Sequence, residues 1–337
     1  MDPAGVAGIM APIHPPVHSV RLGESFTTPQ STTYDRAHHR FVVFAAGCTF
    51  LLLIAGALVT SNDAGLSVPD WPTSFGSLYR IPPLKGGVLF EHGHRMVAQF
   101  IGLLTIVLAV WTQRVERRSW MKLMGWAALG TVIAQGILGG LTVYFQLPPA
   151  VSTAHATLAQ TFFCIVVSMA LFTSRGWIEG SHEPLSQDLS PRLVTRTGIA
   201  VACVWMQLIL GAAFRHSGLK LIPHLVGACV VVVVLLWTAL PVVRRYKSVP
   251  ELRTPALAVL SLLGLQVVLG ISAYLTRVVW SANAPEPQLP MVLATVSHVV
   301  VGALVLASTV VLAIQANRFT GEAVAVPAAT REGALTA

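Results

Sequence analysis

Eight stretches of mostly apolar residues run through this chain, and they constrain its fold more than any other feature. A stretch of about 20 apolar residues crosses the hydrocarbon core of a bilayer as an α-helix. Charged residues make up 11% of the 337 positions, well below the roughly 25% found in soluble domains. The sequence therefore predicts an all-α integral membrane protein with eight transmembrane helices. The predicted spans are residues 41–60, 87–112, 122–145, 151–173, 196–215, 222–243, 255–276 and 292–315.

The net charge of +8 is distributed unevenly between the two ends of these spans. Most of the 22 lysines and arginines fall in the two tails and in alternate loops. Those on the opposite side are Arg80, Lys85, Arg95, Arg215, Lys220 and Arg277. The positive-inside rule then predicts a multi-pass protein of the inner (plasma) membrane with both termini in the cytoplasm. We expect the basic residues to meet anionic headgroups of the lipid bilayer, and we expect no nucleic acid as a partner.

Predicted helices 3, 5 and 7 share a pattern near their outer ends, a glutamine followed four residues later by a glycine. The three copies are Gln135–Gly139, Gln207–Gly211 and Gln266–Gly270, and helix 1 has Leu52–Gly56 at the same place. We expect the glycines to allow close helix approach and the glutamines to bond across helices. The repeat predicts two tandem four-helix bundles related by pseudo-twofold symmetry. The predicted boundaries are 1–40 (disordered cytoplasmic tail), 41–173 (N-terminal bundle), 174–195 (cytoplasmic linker), 196–316 (C-terminal bundle) and 317–337 (cytoplasmic tail).

Each even-numbered helix carries one histidine near its outer end, and an alanine or glycine follows it four residues later. The four are His94, His155, His224 and His298. Residues four apart share a helix face, so each histidine lies beside a notch that suits a flat ligand. A lone membrane histidine often only bonds its neighbours, and imidazole also binds zinc or copper. Four equivalent positions favour axial ligation of haem iron, with His94 paired to His155 and His224 to His298.

Haem propionates near the outer surface require cations, and several are available there. The candidates are Arg95, Arg215, Lys220 and Arg277, each of which also suits a lipid headgroup. His216, next to Arg215, is a further candidate or an ordinary loop residue. His92 points away from His94 and is expected to be structural.

The two halves differ at Glu91, which lies one turn before His94, whereas the equivalent position before His224 is Leu221. A carboxylate beside a buried ligand is costly unless it has a partner or a task. One interpretation is a salt bridge with Arg95. In the other interpretation, the C-terminal haem site only relays electrons, and the N-terminal site holds a reacting group beside Glu91. The preceding loop, residues 62–76, is a candidate lid.

Several of these segments resemble the haem A synthase family. Glu91-His-Gly-His94-Arg95 matches that family's Glu-x-x-His-Arg signature, and Ala64-Gly-Leu-Ser-Val-Pro-Asp-Trp-Pro72 resembles its first outer loop. The segments from Gln135 to Val143 and from Gln207 to His216 resemble its third and fifth helices. The cysteine pair that many bacterial members carry in the first outer loop is replaced by Val68 and Ser74.

The resemblance implies oxidation of the C8 methyl of haem O to a formyl group, giving haem A. It implies haem b at His224 and His298, substrate haem O at His94 and His155, and catalysis by Glu91. Haem O synthase and oxidase assembly factors are implied partners, and a homo-oligomer is left open. Two alternatives use the same histidines, namely a dihaem b-type electron-transfer protein and a haem transporter or chaperone. Bound haem with a formyl group would exclude the electron-transfer protein. A haem transporter or chaperone would require exchangeable haem in both halves.

The predicted sidedness is tested with topology reporters. A reporter placed after residue 316 or within residues 113–121 should behave as cytoplasmic, and one near residue 80 should be external. The reversed pattern would place the histidines on the cytoplasmic side and overturn this topology.

Overall fold

A computed structural model of the chain describes residues 33–78, 80–180, 190–281, 284 and 286–319. Within this part, eight helices are long and apolar enough to cross a membrane, which confirms the predicted all-helical membrane fold. A four-residue helix, Arg175–Ile178, follows the fourth of them. The eight long helices are α1 (Arg36–Ser61), α2 (Gly87–Val115), α3 (Ser119–Tyr144), α4 (Pro149–Phe172), α5 (Ser190–Arg215), α6 (Leu221–Arg245), α7 (Pro250–Tyr274) and α8 (Leu289–Arg318).

Several helices begin or end three to six residues beyond the predicted spans, whereas other ends agree within one residue. α1 begins at Arg36, where the Asp35 carboxylate accepts hydrogen bonds from the main-chain N–H groups of Ala37 and His38. The last residues of the predicted tail 1–40 are therefore helical. α7 continues as a π-helix, Leu275–Trp280. Residues 1–32 of that tail, 181–189 of the predicted linker and 320–337 lie outside the described residues.

The two halves of the bundle show the same order of helix contacts. α1, α2, α3 and α4 touch in sequence and α4 closes on α1, while α5, α6, α7 and α8 touch in sequence and α8 closes on α5. α1 and α4 meet α8, and α4 also meets α5. This pattern agrees with two four-helix units, and the rotation that relates them remains a prediction. α4 and α8 are the central helices, because α4 contacts α1, α3, α5 and α8, and α8 contacts α1, α4, α5 and α7.

Two apolar clusters fill the bundle. One lies in the N-terminal half around Ile101, Leu108 and Met121, and the other lies in the C-terminal half around Leu252 and Leu306. The second cluster also includes two side chains of α4, Phe163 and Cys164. The halves therefore share part of their packing and are not separate apolar units.

A buried ion pair closes the end of the bundle opposite the histidines. The Glu116 carboxylate is 5% exposed and accepts hydrogen bonds from Arg118 at 2.6 Å (Nη2) and 3.0 Å (Nε). Arg118 Nη2 also donates to the carbonyl oxygen of Phe172 at 3.0 Å, which ties the α2–α3 connection to the end of α4. Burial alone would raise the pKa of Glu116, but the hydrogen bonds and charge of Arg118 outweigh it, so the pKa lies below its ordinary value.

Replacing Arg118 by Met should destabilise the folded protein, because Glu116 is then left buried without its partner. Fully buried pairs cost 3–5 kcal/mol when one partner is removed, and near the bundle end we expect on the order of 2 kcal/mol. Unfolding in detergent measures the difference, and Arg117→Met is the matched control because Arg117 is exposed.

The same variants predict a pH dependence. The folded pKa of Glu116 is depressed, so its stabilisation is fully present above the unfolded pKa and is lost as pH falls through the folded value. The stability gap between wild type and Arg118→Met should therefore narrow on acidification below about pH 4. Equal losses from Arg117→Met and Arg118→Met at neutral pH would contradict the role given to the pair.

Candidate functional site

Each of the four predicted ligand histidines packs against a glycine of the long helix that precedes it in the chain. A Cβ atom built on Gly56 would lie 3.2 Å from Cε1 of His94. The corresponding distances are 3.3 Å for Gly139 and His155, 2.9 Å for Gly211 and His224, and 3.1 Å for Gly270 and His298. All four are shorter than ordinary contacts, so a larger residue would push the ring away. The prediction that these glycines allow close approach is confirmed.

The three glutamines of the repeat bind the main chain of three of these histidines. Their Nε2 atoms donate to the histidine carbonyl oxygens, from Gln135 to His155 at 2.8 Å, from Gln207 to His224 at 2.9 Å and from Gln266 to His298 at 3.1 Å. The predicted bonding across helices is confirmed. In α1 the equivalent residue is Leu52, which has no donor, so His94 lacks this contact.

The small residue four positions after a histidine also serves these glutamines. A Cβ atom on Gly302, four residues after His298, would lie 3.2 Å from Nε2 of Gln266. The main-chain carbonyl of His298 points along the helix toward Gly302, so a bulky residue there would crowd the amide that reaches that carbonyl. The notch next to His298 is thus filled in part by Gln266 itself.

The rings of His224 and His298 face each other in the C-terminal half. Their centroids are 6.2 Å apart and the ring planes are nearly perpendicular, at 84°. Metal–imidazole bonds are about 2.0 Å long, so two of them, with the distance from each nitrogen to its ring centre, account for this spacing. The Nδ1 atom of His298 is buried and has no hydrogen-bond partner among the described residues. This pair can ligate one metal atom between its rings.

His94 and His155 are the corresponding pair in the N-terminal half, and they lie within electrostatic range of each other. The Nδ1 atom of each is buried without a hydrogen-bond partner in the described part of the chain. Across the same residues, no group of three or more His, Cys, Asp or Glu side chains is placed to hold a free metal ion. Iron in a porphyrin needs only two axial ligands from the protein. The two histidine pairs therefore fit haem iron better than a free ion.

Glu91 is buried, 4% exposed, and both carboxylate oxygens accept hydrogen bonds. Oε1 pairs with Arg95 Nη2 at 2.6 Å, and Oε2 accepts from the main-chain N–H of Val68 at 2.8 Å. Arg95 in turn donates to the carbonyl oxygens of Asp70 at 2.7 Å, Thr73 at 3.0 Å and Val68 at 3.4 Å. The salt bridge that was one interpretation of Glu91 is present. It fastens the loop 62–76 to the start of α2.

Further contacts hold this loop against the ends of α2 and α3. Nδ1 of His92 lies 3.0 Å from Oγ of Ser74, in keeping with the structural role expected for His92. The Trp71 ring packs on Gly140, where a Cβ atom would lie 2.5 Å from the ring. Gly140 directly follows the glycine that contacts His155. The loop thus lies beside the N-terminal histidine pair, and its opening and closing as a lid remain a prediction.

The other candidate cations differ in the contacts that they make with the described residues. Arg215 Nη2 donates to the carbonyl oxygen of Thr60, and this guanidinium lies 3.8 Å from Asp63 Oδ1, so it joins the ends of α1 and α5. Arg277 Nη1 lies 3.6 Å from Sδ of Met291, which is a weak acceptor. Lys220 is exposed at the start of α6.

His216 lies nearer to the N-terminal pair than its position in the chain suggests. Burial, the charge of Arg215 and the proximity of His155 lower the pKa of His216 to about 4, so it is neutral at pH 7. No sequence pattern indicates the proximity of His216 and His155, because the two belong to different halves of the bundle. The main-chain partners of Arg95 were also missed, since backbone groups carry no sequence signature.

Comparison with known proteins gives this arrangement a family. Residues 39–223, more than half of the chain, match the COX15-CtaA family, described as cytochrome oxidase assembly protein. A haem A synthase of Symbiobacterium thermophilum is 28% identical over 65% of this chain and 80% of its own length. Haem A synthases of Lysinibacillus sphaericus and an Exiguobacterium species are each 28% identical over 55% and 54% of this chain, and 61% and 60% of their own lengths. The chain belongs to the COX15-CtaA family of cytochrome oxidase assembly proteins.

Proposed function

We propose that this protein is a haem A synthase, an oxidoreductase that converts the C8 methyl group of haem O to a formyl group. The family match and relatives of that name support the proposal. The observation that carries it is the pairing of four histidines into two sites of similar construction, of which one has a buried carboxylate a single helical turn away. Two similar haem sites with one added acidic group suit an enzyme that relays electrons at one site and reacts at the other.

The C-terminal pair, His224 and His298, would hold haem b as a bis-histidine cofactor. When bound, haem b supplies one-electron transfer. The 6.2 Å separation of the rings and the free Nδ1 of His298 support this assignment. The family match ends at residue 223, so the assignment rests on the geometry and on the internal repeat.

The N-terminal pair, His94 and His155, would bind haem O as the substrate. Both rings are half-buried and have a free Nδ1, and each is seated on a glycine as in the other half. The loop 62–76 lies beside this pair. The glutamate and the loop distinguish this site from the C-terminal one.

The contacts that each candidate cation already makes within the chain indicate which of them can bind a haem propionate. The four terminal N–H bonds of Arg95 all have acceptors within the chain, and Arg215 is engaged by Thr60 and Asp63. Arg277 has only the sulfur of Met291 within the described residues. We therefore propose Arg277, with Lys220 in support, as the propionate ligand near haem b.

Glu91 is the proposed catalytic carboxylate, as a base or as a stabiliser of positive charge on the oxidised methyl group. Both of its oxygens already accept hydrogen bonds, which favours the electrostatic role over removal of a proton. A fixed negative charge lowers a barrier when it interacts more strongly with the transition state than with the bound substrate. Two successive hydroxylations, each adding the oxygen of a water molecule and releasing two protons and two electrons to an acceptor outside this chain, would give a geminal diol, and loss of water would yield the aldehyde.

A second candidate function is dihaem electron transfer without a substrate haem. One observation favours it, namely that the Glu91–Arg95 ion pair explains the carboxylate without any chemistry. The names of the relatives favour the synthase. Formation of haem A by cells that produce haem O separates the two functions.

Replacing Glu91 by Gln should abolish most haem A formation while the protein still folds and keeps haem b. The amide oxygen can still accept from Val68, but the negative charge is lost, so turnover falls more than substrate binding. A haem profile of cells that make haem O measures haem O and haem A directly. His92→Gln is the control and should leave the profile unchanged.

Arg95→Met separates a chemical role of Glu91 from loop anchoring. This change releases the loop from Asp70 and Thr73 but leaves the carboxylate in place. We expect Arg95→Met to retain some haem A formation, and Glu91→Gln to accumulate haem O. Wild-type amounts of haem A from Glu91→Gln would rule out its catalytic role, and identical profiles for both variants would assign Glu91 to the loop alone.

Replacing His224 or His298 by Ala should abolish or strongly perturb the low-spin signal of haem b, because each imidazole supplies one of its two axial bonds. Gly211→Ala should perturb the same signal, since its Cβ atom would lie 2.9 Å from the ring of His224. Gly198→Ala in the same helix is the matched control, because nothing lies within 4 Å of its Cβ position. Optical and paramagnetic resonance spectra of the purified protein provide the measurement. Unchanged spectra in both histidine variants would remove the assignment.

A further inference from the structure

The two histidine pairs differ in how firmly the bundle holds their main chains. In the C-terminal pair, glutamines of α5 and α7 donate to the carbonyl oxygens of both His224 and His298. In the N-terminal pair, only His155 receives such a bond, from Gln135. For His94 the residue at the equivalent position, four before the glycine that contacts its ring, is Leu52.

We propose that Gln135, Gln207 and Gln266 are positioning residues for their histidines. His94 has no such glutamine, and in this proposal it is the ligand that dissociates from the haem iron when substrate enters and product leaves. This inference rests on the proposed function, because it takes the four histidines as haem ligands. It deepens that function by proposing that the C-terminal site retains its haem, and that haem exchange at the N-terminal site depends on one ligand, His94.

The first support is the geometry of the glutamine contact. A hydrogen bond from a neighbouring helix to the histidine carbonyl restrains the helical turn that carries the ring. Hydrogen bonds of this kind contribute to helix association inside a bilayer, where burial of apolar surface adds little.

The second support is what holds His94 instead. The α2 turn that carries it is bonded to the loop 62–76 through the side chains of Glu91, His92 and Arg95. The α2 turn packs on Gly56 of α1, but its side-chain hydrogen bonds run to the loop and not to a neighbouring helix. A shift of the loop releases His94 while His155 stays fixed by Gln135.

The assignment matches the different demands on the two sites. A cofactor that relays electrons stays bound through many turnovers, and both of its ligands have a glutamine. A substrate haem arrives and leaves in each turnover, so at least one of its two histidine ligands has to dissociate from the iron. One fixed ligand, His155, keeps the haem in register during exchange, and one released ligand opens the site.

The direct test supplies the missing glutamine. Leu52→Gln places a donor four residues before Gly56, as Gln207 stands before Gly211, and Leu52→Met is the matched control without a donor. Protein is purified in detergent from cells that make haem O and is mixed with excess apomyoglobin as a haem acceptor. Chromatography of the retained pigment then follows haem O and haem b separately.

We expect Leu52→Gln to slow haem O release by about threefold to tenfold, the effect of one added hydrogen bond, and to leave haem b release unchanged. Leu52→Met should behave as the wild type. Equal haem O release in all three proteins, with haem O bound, overturns the inference but leaves the proposed function intact. Absence of haem O, haem A and every intermediate between them from all preparations contradicts the proposed function itself.

A reverse test does not depend on the folding of the Leu52 variant. Gln207→Met keeps the length of the side chain but removes the donor, so a positioning role predicts faster haem b release and shifted resonance values of the low-spin haem. Gln207→Leu should show the same changes. If Gln207 only fills space, Gln207→Met leaves both readouts unchanged, and this result overturns the inference.

Discussion

Close contact between a glycine main chain and an imidazole ring, repeated four times, is the constraint on which the rest of this site depends. Helices in a bilayer gain little from burying apolar surface against one another, so packing contacts and hydrogen bonds decide their spacing. At each of the four places a Cβ atom would lie within 3.3 Å of the ring. The missing side chain fixes how near each pair of helices comes and where each ring stands. A cofactor held by two facing rings requires this precision in both helices at once.

The second constraint acts only in the N-terminal half. Burying Glu91 and Arg95 together costs solvation of both charges, and the cost is offset only when their remaining hydrogen-bonding groups are satisfied. Val68, Asp70 and Thr73 satisfy them with main-chain groups of the loop. Loop, ion pair and His94 therefore form one connected unit. The ion pair and the loop thus hold the Glu91 carboxylate in one position, a single helical turn from His94.

Hydropathy was sufficient to predict eight helices, and the internal repeat predicted close helix approach at the glycines and bonding across helices by the glutamines, but not that the histidines are their partners. These predictions were confirmed because they depend on the periodicity of residues along single helices. The start of α1 was placed five residues late, since the capping by Asp35 precedes the apolar run. Arg95 was one of four propionate candidates, and in the structure its terminal N–H groups bond to three loop carbonyls and to Glu91. Contacts with main-chain atoms, and the approach of His216 to the other half, follow from tertiary packing that no local pattern records.

The central claim is that two sites built alike hold different haems, one retained and one transformed. Mass spectrometry of the pigment extracted from purified wild-type protein, quantified against protein, tests it most directly. The account predicts haem b in about equal amount to the protein, together with haem O, haem A or an intermediate between them. Haem b alone, filling both sites in every preparation from cells that make haem O, would contradict it.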